Sequence, residues 1–299
     1  MKSRIGGERL PKRCSSAIQE LLDGSSRRIQ HVQAKWLADD GAVINLSVDE
    51  RSQELVRAIR ERAPQSVGDV VALNVGIKPY QKGKGTPPQS AKDVKERPFD
   101  ADTRVDKTYR FLLRGRDVNR YRIEPTEQRF LSYGPWLAGP RPAANFDATE
   151  KIYMRQTGDS LIAAIDAERR IGMNNLHVIV PTNDEWSARK LLPILNSRLL
   201  NWFYQSINPE KGEAFAEIKR SHIAQLPLPV VAPPQAARLV SLVDRMLALH
   251  TRLSVEQLPQ RREQIQREID ATERQIDELV YHLYGLTDQE IAIVEEAMG

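Results

Sequence analysis

The stretch YMRQTGDSLIAAID, Tyr153–Asp166, has the pattern of two β-strands joined by a tight turn. Its first half places the side chains of Arg155, Gln156 and Thr157 immediately before the turn, and its second half is apolar. Gly158 stands in the turn, where glycine supplies the positive φ that a tight hairpin needs. The sequence therefore predicts a hairpin whose tip carries hydrogen-bonding donors and no catalytic group.

Charge is distributed unevenly along the chain, whose 299 residues carry a formal net charge of +4. Residues 76–160 hold 17 Lys and Arg against 11 Asp and Glu, a balance of +6. Residues 231–299 hold 7 against 12, a balance of −5. A basic middle and an acidic end indicate a polyanionic partner for the middle alone. The alternative is an ordinary solvated surface.

Several classes of protein are not expected from this sequence. No apolar run approaches the roughly 18 residues that span a bilayer, so no membrane partner is predicted. Cys14 is the single cysteine, which argues against an internal disulfide or a cysteine zinc site and favours a reducing, cytoplasmic location. The five histidines are scattered singly, so no metal site is predicted. Phosphate-loop, dinucleotide-binding and GxSxG motifs are absent, and no catalytic residue is predicted.

Secondary-structure signals indicate a mixed chain of strands and helices. Val67–Val75 and Leu176–Val180 have strand patterns, whereas a short helix is predicted from about Glu213 to Ala224. Residues 76–88, directly after the first strand, form a segment rich in Gly, Pro and Lys that is typical of a long loop. Its cations and its aromatic ring suit contact with a phosphate backbone, and the alternative is a mobile linker.

Apolar residues repeat at helical spacing in the last third of the chain. One such run, Leu191–Phe203, is interrupted by Asn196 and Ser197, for which a hydrogen bond between helices is the expected role. From Gln235 onward the pattern is helical, and a second amphipathic helix begins at Pro259. A short connection between two such helices predicts an antiparallel helical hairpin.

The order of the motifs in residues 66–230 resembles that of a known family. In chain order, this range contains GIKPYQKGKGTPPQ, YRFLLRGRDVNRY, YGPWLAGPRP, KIYMRQTGDSLIAAID, NNLHVIVP and LLPILNSRLLNWFYQSINPEKGEAFAEIKRSHIAQLPLP. These motifs resemble the TaqI-like C-terminal specificity domain, which is the DNA target-recognition domain of adenine-N6 DNA methyltransferases and of fused restriction–modification enzymes. The last of them also resembles the recognition half of separate restriction specificity subunits.

The resemblance implies an α+β (mixed α/β) DNA target-recognition domain with a C-terminal antiparallel helical hairpin. Residues 1–65 would be the tail or remnant of a methyltransferase-type domain, 66–230 the recognition domain and 231–299 the helical hairpin or spacer. A separate domain would flip the target adenine. The Asn/Asp-Pro-Pro-Tyr/Phe motif of amino-methyltransferases is absent from the sequence. No cofactor is therefore expected in this chain, and S-adenosylmethionine is expected in a catalytic partner or a missing domain.

With duplex DNA as the implied partner, the polar residues acquire expected roles. Arginine pairs bidentately with guanine and glutamine with adenine. The candidates for base contact are Arg155, Gln156, Thr157, Asn174 and Asn175. The candidates for backbone contact are Lys78, Tyr80, Lys82, Lys84, Arg114, Arg116 and Lys211. The alternatives are cross-strand polar pairs for the hairpin residues and a turn cap for the two asparagines.

Three functions are compatible with these patterns. The first is sequence-specific DNA recognition, as the specificity module of a restriction–modification or phage-defence system without a catalytic centre of its own. The second is a part of an adenine-N6 DNA methyltransferase, or of a fused restriction endonuclease–methyltransferase, whose catalytic domain is missing here. The third is a protein-interaction scaffold that recruits a catalytic subunit. Binding of S-adenosylmethionine by this chain would separate the second from the others.

Overall fold

The computed structural model describes residues 49–208 and 216–299, and Glu54–Gly299 form one compact unit. The α-helices of the described residues are α1 (Glu50–Arg62), α2 (Val67–Val70), α3 (Ala91–Glu96), α4 (Ala144–Asp147), α5 (Ala188–Asn196), α6 (Arg198–Ile207), α7 (Arg220–Ala224), α8 (Pro233–Val255), α9 (Pro259–Leu283) and α10 (Asp288–Met298). None of them combines the length and the apolar character that crossing a bilayer requires.

Two four-stranded sheets form the middle of this unit. The strands of the described residues are β1 (Gln65–Ser66), β2 (Val71–Val75), β3 (Asp100–Ala101), β4 (Tyr109–Leu113), β5 (Val118–Asn119), β6 (Arg122–Ile123), β7 (Phe130–Ser132), β8 (Lys151–Arg155), β9 (Ala163–Asp166), β10 (Ile171–Gly172), β11 (Leu176–Pro181) and β12 (Pro227–Leu228). The central sheet is antiparallel in the order β2-β11-β8-β9, and the second sheet has the order β10-β4-β7-β3.

The central sheet is covered on both faces. Alternate side chains of a strand point to opposite faces, and β8 shows both environments. Ile152 and Met154 belong to the core cluster formed with the helices, whereas Tyr153 belongs to the cluster formed with Leu112 of β4 and Val118 of β5. Burial on both faces explains why the middle of β8 is almost continuously apolar in sequence.

A buried ion pair joins the two strands of the predicted hairpin. Lys151 and Asp166 are register partners across β8 and β9, and both side chains are fully buried. The Lys151 Nζ donates to Asp166 Oδ2 at 2.6 Å and to the carbonyl oxygen of Phe146 at 2.8 Å. The Arg170 backbone N–H adds a bond to the same carboxylate at 3.0 Å. The pair therefore fixes the end of the hairpin opposite its tip.

Two asparagines of the helical layer hydrogen-bond to the backbone at the outer edge of β9 and just before it. The side chain of Asn196 accepts from the N–H of Ala163 and donates to its carbonyl, both at 3.0 Å. Asn201 accepts from the N–H of Leu161 at 2.7 Å. The expected hydrogen bond between helices is therefore wrong for Asn196. Its side chain instead makes the two backbone hydrogen bonds that a neighbouring strand would make. Ser197 caps α6, because its hydroxyl accepts from the N–H of Leu200.

The C-terminal helical hairpin is confirmed, and with it the mixed α/β class. Helices α8 and α9 pack through a buried stripe that includes Met246 and Leu249 on the first helix and Ile265 and Ile269 on the second. A separate third helix, α10, follows after the cap at Thr287, whose hydroxyl accepts from the N–H of Glu290. This extra helix contacts α6 rather than extending the hairpin.

Two predicted elements differ in the structure. The predicted strand Val67–Val75 begins as the short helix α2, because Asp69 accepts from the backbone and hydroxyl of Ser66 and fixes a helical turn there. The predicted helix from about Glu213 is shorter, since α7 begins at Arg220 and the preceding Ile218 pairs with the hairpin. The division into domains at residues 1–65, 66–230 and 231–299 stays a prediction. Residues 1–48, with Cys14, lie outside the described residues.

Candidate nucleic-acid interface

The tip of the hairpin pairs with two other segments of the chain instead of closing on itself. The Gln156 N–H donates to the carbonyl oxygen of Asn175 at 3.0 Å, and its carbonyl accepts from the Ile218 N–H at 2.7 Å. Gly158 has a φ of 127°, as predicted for the turn, and its N–H donates to the Ala216 carbonyl at 2.9 Å. The tip is thus held at a junction of three backbone segments.

Arg155 is partly committed to bonds within the protein. Its Nε donates to the carbonyl oxygen of Val118 at 2.5 Å, and its Nη2 donates to Asn119 Oδ1 at 2.9 Å. The side chain is half-buried, and burial lowers the pKa of the guanidinium below its usual value. Arg155 therefore ties the hairpin to β5 while keeping three of its five N–H donors available.

The other base-contact candidates divide into bonded and unbonded side chains. The Gln156 amide donates to the Glu217 carboxylate, and Asn175 Oδ1 accepts from the Gly115 N–H at 3.0 Å. Asn174 and Thr157 are exposed, and their side chains make no hydrogen bond to any described residue. The junction therefore offers one amide and one hydroxyl that are free to meet a ligand.

A row of four arginines lies beside this junction; we call Arg97, Arg129, Arg114 and Arg116 the arginine row. Two carboxylates hold it together. Asp100 contacts the first two, with Arg97 Nε at 2.8 Å and Arg129 Nη1 at 4.0 Å. Glu127 contacts the last three, with Arg129 Nη2 at 2.9 Å, Arg116 Nη2 at 3.4 Å and Arg114 Nη1 at 3.8 Å. Four cations against two anions leave the row a formal charge of +2.

The turn that carries the end of this row is held by a buried carboxylate. Asp117 accepts from the Arg114 N–H at 2.7 Å, and burial raises the pKa of its carboxyl. The same turn receives Asn175 at Gly115 and Arg155 at Val118. The structure therefore brings Arg114, Arg116, Arg155, Gln156 and Asn175 together, although they are far apart in sequence.

The basic loop after β2 is compact and not a mobile linker. Buried Gln89 donates to the carbonyl oxygens of Pro79 and Trp136, both at 2.8 Å, and its own side-chain oxygen accepts from the Gln81 N–H at 2.9 Å. Gly83 and Gly85 adopt positive φ values of 77° and 90° around it. This packing leaves two cations, which we call the lysine pair, exposed at the apex of the loop: Lys82 and Lys84.

Tyr80 connects the loop to the arginine row. Its hydroxyl donates to Asp100 Oδ1 at 3.1 Å and accepts from the Phe99 N–H at 2.8 Å. Its ring stacks on Phe99 with centroids 5.5 Å apart, and Arg97 lies 4.7 Å from its centroid. Burial raises the pKa of the hydroxyl above its usual value. Tyr80 therefore has a positioning role that its sequence context does not reveal.

The remaining backbone candidates are placed as follows. Lys78 is exposed, and its backbone pairs with Gly139 through bonds of 2.8 and 2.9 Å. Lys211 lies outside the described residues. Sequence reasoning missed Arg97 and Arg129, for which the only local signal was positive charge. Within the described ranges, no group of three or more His, Cys, Asp or Glu residues could hold a metal ion.

Comparisons with known proteins add the following similarities. A search of curated proteins found no match. The solved structure of the HsdS subunit from Thermoanaerobacter tengcongensis is 15% identical, with a TM-score of 0.35, and the alignment covers 96% of this chain and 57% of that chain. A chain from a structure of complex assembly and conformational transition in the type I R-M system is 14% identical, with a TM-score of 0.35 and coverage of 96% and 58%.

This chain therefore spans less than two thirds of the length of those two structural relatives. The family model of the TaqI-like C-terminal specificity domain matches residues 110–228. The match includes the hairpin, the turn at Gly115 and three of the four members of the arginine row. Over residues 110–228, this chain is similar to the TaqI-like C-terminal specificity domain family.

Proposed function

We propose that this chain recognises a specific sequence in duplex DNA as the specificity module of a restriction–modification system. One observation carries the proposal: the side chains of Asn174 and Thr157, which make no hydrogen bond to any described residue, adjoin Asn175 and Gln156 at the junction. Asn175 in turn bonds to the turn that carries Arg114 and Arg116. Phosphate contacts position a protein on DNA, whereas polar side chains in a groove read the bases. A cationic row beside free amide and hydroxyl groups supplies both kinds of contact.

The proposal is tested by selecting bound sites from a random duplex pool. The expected result is enrichment of one short sequence, followed by tighter binding of that duplex than of a scrambled duplex. Sequence-specific sites typically bind at least about 10³-fold more tightly than nonspecific DNA. Equal recovery of all sequences would contradict the proposal, whether or not the chain binds DNA nonspecifically.

The residues of the junction are expected to contribute differently to specificity. Asn174→Ala should reduce discrimination between the cognate and scrambled duplexes by about 1–3 kcal/mol, because a bidentate amide contact to a base is lost. Its thermal stability should be unchanged, since the side chain makes no hydrogen bond to any described residue. Arg155 and Thr157 are two residues apart and share one face of the strand, and we expect that face to matter more for base contact. Thr157→Val should therefore act in the same direction.

Arg155→Ala is the informative comparison. It should reduce discrimination and also lower stability by about 1–2 kcal/mol, because the Val118 carbonyl loses its donor. Gln156→Ala is expected to reduce discrimination as well. Competition binding of each folded variant against both duplexes measures the first effect, and thermal unfolding measures the second. If all of these variants keep the wild-type affinity ratio, the junction is structural and recognition lies elsewhere.

We also propose that methyl transfer belongs to a catalytic domain or subunit that binds S-adenosylmethionine, and not to this chain. The support is the missing tetrapeptide in the sequence. The purified chain should therefore incorporate no tritiated methyl group into DNA, and incorporation should appear only with a partner that supplies the catalytic domain. Sequence-specific incorporation by the chain alone would favour the methyltransferase alternative.

One observation favours the scaffold role in addition to DNA recognition. The connection between α8 and α9 exposes two large apolar side chains, since Val255 is 72% and Leu258 is 53% exposed. Exposed apolar side chains that cluster at one site mark surfaces for protein contact. We therefore propose that the acidic helical hairpin contacts the catalytic partner while the basic recognition domain contacts DNA.

A further inference from the structure

A pocket lies between the recognition domain and the helical hairpin, next to the turn to which Arg155 is bonded. It has a volume of about 340 Å³, which is within the usual range of small-molecule sites. The tight turn between β5 and β6 supplies Arg120 and Arg122, and α8 and α9 supply His250, Gln266 and Glu273 on the other side. Ile162 and Ile269 add apolar surface. We call this space the domain-boundary pocket.

The turn that carries the two arginines is fixed by the residue between them, Tyr121. Tyr121 stands between them with a φ of 62°, its side chain is buried and its N–H donates to the Ala163 carbonyl at 3.0 Å. A residue held in the left-handed region persists only where its surroundings impose it. Arg120 and Arg122 are therefore presented to the pocket by a rigid element.

The charges that line the pocket are not balanced. Arg120 Nη2 lies 3.4 Å from Glu273 Oε1, which also lines the pocket. Arg122 Nε lies 3.1 Å from Glu124 Oε2, and this exposed carboxylate is outside the lining. Burial and the nearby Arg122 lower the pKa of His250 to about 4, so its imidazole is neutral at pH 7. Two cations and one anion leave the lining one positive charge in excess.

Two buried polar atoms of lining residues lack a hydrogen-bond partner among the described residues. They are Nε of Arg120, a donor, and Nδ1 of His250, which either donates or accepts. Buried polar groups in native proteins are nearly always satisfied, so each unsatisfied atom calls for an explanation. A ligand with several acceptor oxygens and a negative charge would pair with the guanidinium groups of Arg120 and Arg122 and with the His250 ring, which all line the pocket.

We propose that the domain-boundary pocket binds an oxyanion of the phosphate class, held by Arg120, Arg122 and His250. Such a ligand would bridge the recognition domain and the helical hairpin, because its partners come from both. The same chemistry has two sources, a free phosphate group or a phosphate of bound DNA. The proposal does not depend on DNA recognition, since the residues that would hold the oxyanion are not the base-contact candidates.

Thermal unfolding in sodium phosphate and in sodium chloride of equal ionic strength tests the site. Binding to the folded state alone should raise the Tm by about 2–4 °C in phosphate. The double variant Arg122→Gln/His250→Gln should lose this shift. Arg245→Gln, which removes an exposed cation of α8 outside the pocket, should keep it. No shift for the wild type, or an equal shift in the double variant, would overturn the proposal.

DNA titrations of the same variants identify the source. If the double variant binds duplex DNA with the wild-type salt dependence, the ligand is a free phosphate group. If the slope of log K against log salt becomes less steep by about 1, the pocket takes a DNA phosphate. Because the phosphate shift is measured without DNA, failure of DNA recognition and failure of this site give different results.

Discussion

Asp166→Asn is expected to lower the free energy of unfolding by about 3–5 kcal/mol, the usual loss when one partner of a buried ion pair is removed. Lys151 would keep its position in a fully buried site with the Phe146 carbonyl but without its carboxylate. Burial already lowers the pKa of Lys151, and Asp166 is the main influence that raises it again. The variant removes that compensation, and the backbone bond from Arg170 weakens with it.

Urea denaturation with the slope of the transition recorded measures this loss. Glu168→Gln is the matched control, because this nearby carboxylate is 69% exposed and, among the described residues, pairs with Arg170 alone. The control should change stability by less than about 0.5 kcal/mol. A double replacement, Lys151→Met/Asp166→Leu, should recover much of the loss, because an apolar pair leaves no buried charge. A loss below about 1 kcal/mol for Asp166→Asn would show that the pair is not a determinant of the hairpin.

The ion pair also illustrates what local sequence reasoning misses. Asp166 and Glu168 lie two residues apart, and the pattern around them is that of a turn at the end of a hairpin. In the structure the first is the buried partner of a lysine 15 residues earlier, and the second is exposed. Asp166 is the register partner of Lys151 in the last position of β9, whereas Glu168 lies beyond the end of that strand. Register depends on distant packing that a local pattern does not encode.

Features set by local backbone chemistry were predictable. Gly158 has the positive φ expected in the turn, and Pro259 begins the second helix of the hairpin as the sequence indicates. Long apolar repeats likewise predicted the helical hairpin, because a stripe at 3.6-residue spacing has few other ways to be buried. These elements need only residues that are close in sequence.

The composition of the candidate interface was predictable only in part. The turn at Arg114 and Arg116 was proposed from charge, but Arg97 and Arg129 join it through Asp100 and Glu127. Asp100 and Arg129 are far apart in sequence and meet because β3 and β7 are paired. The hydroxyl of Tyr80 bonds to Asp100 and Phe99, which gives it a structural role. Its contact with DNA stays a prediction.

The salt dependence of DNA binding is the second large effect that we expect. The +6 balance of residues 76–160 suggests about 6 phosphate contacts, and log K should then fall against log salt with a slope near −5. Affinity should thus drop by about 10³-fold between about 50 and 200 mM salt. A flat titration, or no binding at low salt, would contradict duplex DNA as the partner.

The structure shows which cations are best placed to produce that slope. Members of the arginine row are already partly neutralised by Asp100 and Glu127, so a phosphate must compete with a carboxylate for them. Lys82 and Lys84 are exposed at the apex of a rigid loop, and they make no ion pair with any described residue. Each counterion released at such a lysine contributes about 0.9 to the slope.

Lys82→Ala/Lys84→Ala should therefore make the slope less steep by about 2 and weaken binding to cognate and scrambled duplexes alike. The matched control is Arg238→Ala/Arg245→Ala, which removes two exposed cations from α8 and changes the net charge equally. Its slope should stay near that of the wild type, because contacts at the phosphates and not net charge set the counterion release. Equal slopes for the two double variants would place the phosphate contacts on the arginine row, since its carboxylates would then have to yield to DNA.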